Sequence, residues 1–201
     1  MMDEISEKKQ TILKVKNFAK ENSLNDDIHG FEHVKRVCKL CLDIGKKNNA
    51  NLYILEIAAL LHDIGRIHKK ENASNQNHAE LSAQKSLEFF KREDLNINQE
   101  EIKNIIHAIR AHSFSNNITP QTLEAQILSD ADKLDALGAI GLYRTIGFTV
   151  KNKGNLKDVI KHLEEKILNL RTQMNLKISK KKAEKRHRII KTFYEKIKTQ
   201  L

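Results

Sequence analysis

The sequence predicts an all-α protein, a single-domain bundle of about nine helices with no sheet. Apolar residues recur at helical spacing through most of the 201 residues, and no segment reads convincingly as a strand. A single proline and seven glycines leave few residues for turns, which favours long helices with short connections. Tryptophan is absent and aromatics are few, so we expect a core of Leu, Ile, Ala and Val.

Several predicted helices are bounded by residues that commonly start or end helices. The third, about 51–65, ends near Gly65, and the fifth, about 99–112, starts after Asn98 with acidic residues in its first turn. The sixth begins at Pro120, since proline suits the first helical position, and has Asp132 near its end. The other helices are expected at about residues 5–21, 30–47, 77–92, 135–147, 156–173 and 178–200.

The net charge of +10 is concentrated in the closing helix, where ten Lys or Arg and two Glu lie between Lys177 and Lys198. This charge could be a solvated face, a rim that attracts phosphate to a site, or a nucleic-acid footprint. No stretch approaches the roughly 20 apolar residues of a membrane span, and the N-terminus lacks the layout of a signal peptide. We therefore expect a cytoplasmic protein without a membrane partner.

Two cysteines, Cys38 and Cys41, form a CxxC pair. They share a helical stripe with Val34, Val37 and Ile44, which favours reduced cysteines in the core. Redox or zinc chemistry is the alternative. A zinc ribbon would need a second pair of thiols, and the chain has none.

The most informative feature is the dipeptide His62-Asp63, which closes the apolar run 54–61. An imidazole and a carboxylate buried side by side cost several kcal/mol unless both are paired or coordinated, and a metal ion would satisfy both. His33 precedes this dipeptide and Asp132 follows it, each in a segment predicted to be helical. This order of residues predicts a divalent-metal site built from separate helices.

Imidazole together with carboxylate suits borderline divalent ions such as Zn, Mn, Fe, Co or Ni, and Mg is a further candidate. Four protein ligands on an ion that accepts six would leave room for water and a substrate oxygen. The sequence does not distinguish one ion from two.

Five ordered blocks extend this pattern along the chain, at residues 29–37, 58–65, 78–83, 109–113 and 130–141. Together they resemble the HD-domain metal-dependent phosphohydrolase superfamily, and more narrowly its small single-domain branch of nucleotide pyrophosphohydrolase-like proteins. The similarity runs from about residue 24 over nearly the whole chain, with a core motif region at about 24–147 and closing helices at about 156–200.

The resemblance implies metal ligands at His33, His62, Asp63 and Asp132. It implies that Asp63 and Asp132 anchor the ion and that one of them orients the attacking water or accepts its proton. It also gives His29, His78 and His112 a role at a second metal or at the substrate phosphate, with a structural role as the alternative.

The remaining polar residues of these blocks are assigned smaller roles. We expect Asp130 and Asp135, next to the ligand motif, to cap or brace. His107 is expected to have no role in the site, and His68 and His187 are expected to lie on the surface. Three basic residues, Arg36, Lys133 and Arg144, are candidates to bind substrate phosphate, with salt bridges as the alternative.

The resemblance implies a metal-dependent phosphohydrolase in which water attacks a phosphomonoester or phosphoanhydride of a nucleotide-like substrate. The basic segment 66–70 departs from the branch, which often has more acidic residues there. Two alternatives stay open: a catalytically silent nucleotide- or metal-binding module, and a basic helical nucleic-acid-binding protein. The partner expected is a small phosphorylated molecule, with homodimerisation left open.

Overall fold

The computed structural model describes residues 2–67, 77–113 and 116–201, with side chains from Glu4 onward. Those residues form nine α-helices and one 3-10 helix, with no strand beyond an isolated parallel bridge between Leu24 and Gly30. The predicted all-α fold is therefore confirmed. None of the described helices is long and apolar enough to cross a membrane. The helices are α1 (Met2–Glu21), α2 (Phe31–Asn48), α3 (Leu52–Leu61), α4 (His78–Glu93), α5 (Gln99–Ala111), α6 (Leu123–Asp135), α7 (Gly138–Lys151), α8 (Leu156–Glu165), the 3-10 helix (Ile167–Gln173) and α9 (Lys177–Lys198).

The chain divides into two compact units, and α3 is the central helix of the first unit, Met1–Ser129. It contacts α1, α2, α4 and α5. Its side chains are apolar nearly all round, and Leu55, Ile57 and Leu61 are fully buried. A helix without a polar face is stable only when neighbours cover it on every side. The helix that leads to the His-Asp dipeptide is therefore the core of its unit.

The second unit, Asp130–Leu201, contains α7, α8, the 3-10 helix and α9. α9 packs against α7 and the 3-10 helix, and α8 packs against the same two elements. Buried Asp130 accepts hydrogen bonds from the backbone and side-chain N–H of Asn175, at 2.8 and 2.9 Å, and from the Leu176 N–H at 3.0 Å. It braces the chain just before α9, as the sequence predicted. That one domain covers residues 1–201 stays a prediction.

α3 ends at Leu61, earlier than predicted, because the Gly65 N–H donates to Ser82 Oγ at 2.9 Å instead of extending the helix. A Cβ on Gly65 would lie 2.4 Å from the His78 carbonyl oxygen, so this close approach requires glycine. As a result, the dipeptide 62–63 lies in the turn that follows α3 and not within a helix.

Two predicted helix starts are also wrong. α6 begins at Leu123 and not at Pro120, because Thr122 Oγ accepts the Ala125 N–H at 3.2 Å and so caps the first turn. α7 begins at Gly138 and not near residue 135. Gly138 has a φ of +80°, a left-handed conformation that breaks the chain away from the end of α6.

The predicted helix 156–173 consists of two helices. α8 ends at Glu165, and residues 167–173 form the 3-10 helix. The side chain of Asn169 donates to the carbonyl oxygens of Glu164 and Glu165 at 3.0 and 3.1 Å, so it replaces backbone donors at the end of α8. An apolar pattern that continues through such a break does not reveal it.

Neither Cys38 nor Cys41 forms a disulfide, and both are buried on α2, which confirms the prediction that they belong to the core. Burial raises the pKa of the Cys38 thiol to about 12, with a smaller contribution from the negative charge of Glu56.

Only the thiolate is an effective nucleophile. In a Cys41→Ser variant, the native Cys38 thiol should therefore react with a thiol reagent at pH 8 on the order of 1000-fold more slowly than in the urea-unfolded chain. Equal rates in a spectrophotometric thiol assay would contradict this burial.

The start of α3 offers a test of helix capping. The side-chain oxygen of Asn51 accepts the N–H groups of Tyr53 and Ile54, at 3.1 and 3.3 Å. We expect Asn51→Ala to lower the free energy of unfolding by about 1 kcal/mol, because these two donors lose their acceptor. Asn51→Ser, which retains a capping oxygen, should lose only a fraction of that amount. Urea denaturation measures both, and equal losses in the two variants would argue against the cap.

Candidate metal centre

Four buried imidazoles surround the carboxylate of Asp63 in the first unit. Each comes from a different part of the chain, near the start of a helix or just beyond its end. They are His33 in the first turn of α2, His62 directly after α3, His78 at the start of α4 and His112 directly after α5. The cluster is thus a product of helix packing.

The helix starts next to the cluster are fixed by local interactions. Gly30 precedes α2, and a Cβ at this position would lie 1.9 Å from the Asp26 carbonyl oxygen, so only glycine fits. Asn77 caps α4 by accepting the Ala79 N–H at 2.9 Å. These caps fix where His33 and His78 lie in the first turns of their helices.

The two oxygens of Asp63 face different histidines. Oδ2 lies 3.5 Å from His33 Nε2 and 3.7 Å from His62 Nε2. Oδ1 lies 3.5 Å from His78 Nε2 and 3.6 Å from His112 Nε2. The Nε2 atoms of His33 and His62 are 3.3 Å apart. Four imidazole nitrogens therefore surround the two oxygens of one buried carboxylate.

Backbone carbonyls orient two of these rings. His62 Nδ1 lies 2.7 Å from the Ala59 carbonyl oxygen, and His112 Nδ1 lies 2.6 Å from that of Ile109. A carbonyl oxygen only accepts, so each Nδ1 is the donor. In the neutral ring Nε2 then carries a lone pair directed at the cluster, which is the form that binds a metal.

Asp63 is ionised in this setting. Burial by itself would raise the pKa of the carboxyl, but the positive charge of Arg66 and the imidazoles of His62, His112 and His33 hold that pKa well below its usual range. Arg66 Nε lies 2.5 Å from Asp63 Oδ2. A buried carboxylate that stays charged is the kind of group that holds a cation.

The residues present fit a divalent ion. Asp63 Oδ1 is buried and has no hydrogen-bonding partner among the described residues. One ligand atom each from His62, Asp63 and His112 lie within 4.8 Å of one another. Two imidazole nitrogens and a carboxylate oxygen at this spacing suit an ion bound at about 2.0–2.2 Å.

Asp132, the predicted fourth ligand, is half-buried on the part of α6 that belongs to the second unit. Its ligand role stays a prediction, and so does a metal role for His29. The His29 ring lies 6.2 Å from that of His33, and its backbone N–H donates to Asp26 Oδ1 at 2.8 Å. Arg36 donates to the Asp27 carbonyl oxygen at 3.3 Å.

The two basic candidates of the second unit are buried. Arg144 pairs with Asp135 at 2.9 Å, so the salt bridge that the sequence left as the alternative is present, and Asp135 braces as predicted. Burial lowers the pKa of Lys133, against the opposing effect of Asp132 and Asp130. Phosphate binding by Lys133 and Arg144 stays a prediction.

The structure describes two of the three histidines predicted to lie outside the site, His107 and His187. His107 Nε2 accepts the Gln121 N–H at 2.9 Å, a structural contact in agreement with the prediction. His187 is half-buried with a buried Nδ1, so it is less exposed than the sequence predicted. The reason is its position on α9, four residues after buried Ala183 and three before buried Ile190, which places it next to the buried face of that helix. His68 lies outside the described residues.

Arg66 is the site residue that sequence reasoning missed. It begins the basic segment 66–70, whose charge indicates a departure from the family pattern and gives no sign of a contact with the cluster; residues 68–70 of that segment lie outside the described residues. Its side chain instead contacts Asp63 and lies 3.1 Å from His78 Nε2 through Nη2. The available signal was its position three residues after Asp63, within one turn along the chain.

The first unit is all-helical and gathers four imidazoles around one buried aspartate, in a cluster that could hold a metal ion. Comparison with known families identifies the family to which this arrangement belongs. The HD domain model matches residues 30–137, more than half of the chain. The chain belongs to the HD domain family.

Three relatives extend the similarity to most of the chain. YpgQ of Bacillus subtilis is 32% identical over 177 residues, which are 84% of this chain and 82% of YpgQ. The crystal structure of YpgQ in complex with ADP superimposes with a TM-score of 0.77, covers 97% of both chains and gives 25% identity over that wider alignment. A protein from Lactobacillus plantarum gives a TM-score of 0.80 at 25% identity, covering 95% of this chain and 96% of the other. An HD-superfamily hydrolase from Bacillus thuringiensis gives 0.72 at 29%, covering 96% and 97%.

Metal binding can be tested with two histidines on or next to the same helix. We expect His112→Ala to weaken Mn²⁺ binding by about 10- to 100-fold or more, because a directed Nε2 is lost. His107→Ala removes an imidazole from the same helix, away from the cluster, and should change the affinity less than about twofold. Isothermal titration calorimetry measures both, and equal affinities for the wild type and His112→Ala would remove His112 from the site.

Proposed function

We propose that this protein is a divalent-metal-dependent phosphohydrolase that acts on a nucleotide. The observation that carries the proposal is the buried, ionised Asp63 surrounded by four imidazoles. Membership of the HD domain family supports it, as does the similarity to a hydrolase of the HD superfamily. The ADP complex of YpgQ supports a nucleotide as the ligand.

The residues that would hold the ion are His33, His62 and Asp63 with Asp132 as the proposed fourth ligand. His112 would complete a second metal position that shares Asp63 and His62, and His78 would complete that position or face the substrate. When bound, a divalent ion lowers the pKa of water and polarises a phosphoryl oxygen. The scissile bond would be a phosphomonoester or a phosphoanhydride, cleaved by water without a covalent enzyme intermediate.

The state of Asp63 separates the roles of the two carboxylates. A carboxylate with a strongly lowered pKa is a good anchor for a cation and a weak base. We therefore assign anchoring to Asp63 and assign to Asp132 the orientation of the attacking water and acceptance of its proton. The backbone-bound rings of His62 and His112 would keep their Nε2 atoms in place, since their Nδ1 donors are already engaged.

The decisive assay measures phosphate and pyrophosphate release separately, from a panel of nucleoside mono-, di- and triphosphates with Mn²⁺, Mg²⁺, Co²⁺ or Zn²⁺. Metal-dependent release of either product supports the enzyme. Nucleotide binding without release would favour the silent binding module. The product that is released distinguishes cleavage at the terminal phosphate from cleavage that frees pyrophosphate.

Asp63→Ala should lower turnover by about 100-fold or more and abolish metal binding, because the central carboxylate of the cluster is lost. The helical circular dichroism signal should change little. Asp43→Ala provides the control, since it removes an exposed carboxylate from α2. Full activity in Asp63→Ala would refute the assignment.

A further inference from the structure

Arg66 makes two contacts with the metal cluster. Its Nε lies 2.5 Å from Asp63 Oδ2, and its Nη2 lies 3.1 Å from His78 Nε2. The Asp63 side chain is 1% exposed and the Arg66 side chain 26%, so the guanidinium lies at the side of the cluster nearest to solvent. The family resemblance assigned it no role.

Both contacts use lone pairs that a metal ion would need. A guanidinium only donates hydrogen bonds, so Asp63 Oδ2 and His78 Nε2 are the acceptors. A lone pair directed into an N–H bond is not available to a metal at the same time. The two contacts involve both halves of the cluster, since Oδ2 faces His33 and His62 whereas His78 faces Oδ1.

The positive charge of Arg66 opposes metal binding, as its hydrogen bonds do. Asp63 is buried, and a buried carboxylate without a cation is strongly unfavourable. Arg66 supplies that cation from within the chain. A divalent ion at the same oxygen would place two positive centres next to each other, so their repulsion makes the guanidinium and the ion each weaken the binding of the other.

We propose that Arg66 is an internal cation that competes with divalent metal for Asp63 Oδ2 and His78 Nε2, a role that rests on the proposed metal site. Arg66 stabilises the metal-free protein and weakens the binding of metal. It therefore sets the metal concentration at which the site fills. Arg66 is a positioning residue in this scheme, since it acts through Asp63 and His78.

Competition makes a prediction that a purely structural salt bridge does not. A competitor has effects of opposite sign on the metal-free protein and on metal affinity. Arg66→Gln should melt at a lower temperature in EDTA, because buried Asp63 loses its counter-ion. The same variant should bind Mn²⁺ about tenfold more tightly or better, a coupling of ordinary size for two ligands that exclude each other. A bond that only holds Asp63 in place would weaken both properties.

The experiment combines differential scanning calorimetry in EDTA with Mn²⁺ titration calorimetry on the intact protein. Arg66→Gln is compared with Arg66→Lys, which keeps the charge but not the planar fork and should lie between the wild type and Arg66→Gln. Arg188→Gln is the control, because it removes an arginine that is 75% exposed on α9. It should leave the Mn²⁺ affinity unchanged.

A second variant tests the contact with His78. In a His78→Gln background the gain from Arg66→Gln should shrink, because one of the two contested atoms is already gone. An undiminished gain would assign the competition to Asp63 alone and overturn the role given to His78.

The outcomes separate this proposal from the proposed function. If the wild type binds Mn²⁺ and releases phosphate or pyrophosphate while Arg66→Gln has equal or weaker Mn²⁺ affinity, competition is refuted and the hydrolase stands. If the wild type binds no divalent ion, both fail. Tighter Mn²⁺ binding together with a lower melting temperature in EDTA supports competition, whether or not a nucleotide is hydrolysed.

Discussion

The buried negative charge of Asp63 is the constraint on which the rest of the first unit depends. The residue is 3% exposed, so its charge persists only where positive or hydrogen-bonding groups surround it. The central position of α3 creates that burial, since the dipeptide follows directly from the most enclosed helix of the unit. The close approach at Gly65 then turns the chain away and brings the start of α4, with His78, to the carboxylate.

Two of the imidazoles are placed by the same local arrangement. His62 and His112 each directly follow the last residue of a helix, and each Nδ1 donates to the carbonyl oxygen three residues earlier. The last carbonyls of a helix have no backbone donor of their own. A histidine at this position satisfies one of them and directs its Nε2 away from the helix. Ligand orientation and helix termination are therefore achieved by one hydrogen bond.

The fold class and the identity of the central residues could be predicted from the sequence, because a charged dipeptide in an apolar run and ordered histidines are visible in the chain itself. The helix boundaries could not be predicted as well. α3 stops because Gly65 bonds to Ser82, and α8 stops because Asn169 takes its last carbonyls, so both ends depend on contacts that apolar periodicity does not encode. Arg66 was missed for a related reason: its charge suggested a solvated loop, whereas its position within one turn of Asp63 decides its partner.

The environment of Asp63 also limits how the site can work. Every group that keeps the carboxylate ionised makes it a poorer proton acceptor, so anchoring and base catalysis favour different carboxylates. The same groups compete for its lone pairs, since two imidazoles and a guanidinium all approach Oδ2. A cation that enters must replace interactions that already stabilise the charge. The affinity for metal is therefore the difference in free energy between the metal-free cluster, in which Asp63 is already stabilised, and the metal-bound cluster. Arg66 is the most exposed of the groups around Asp63. A change at Arg66 is therefore the simplest way to alter that difference.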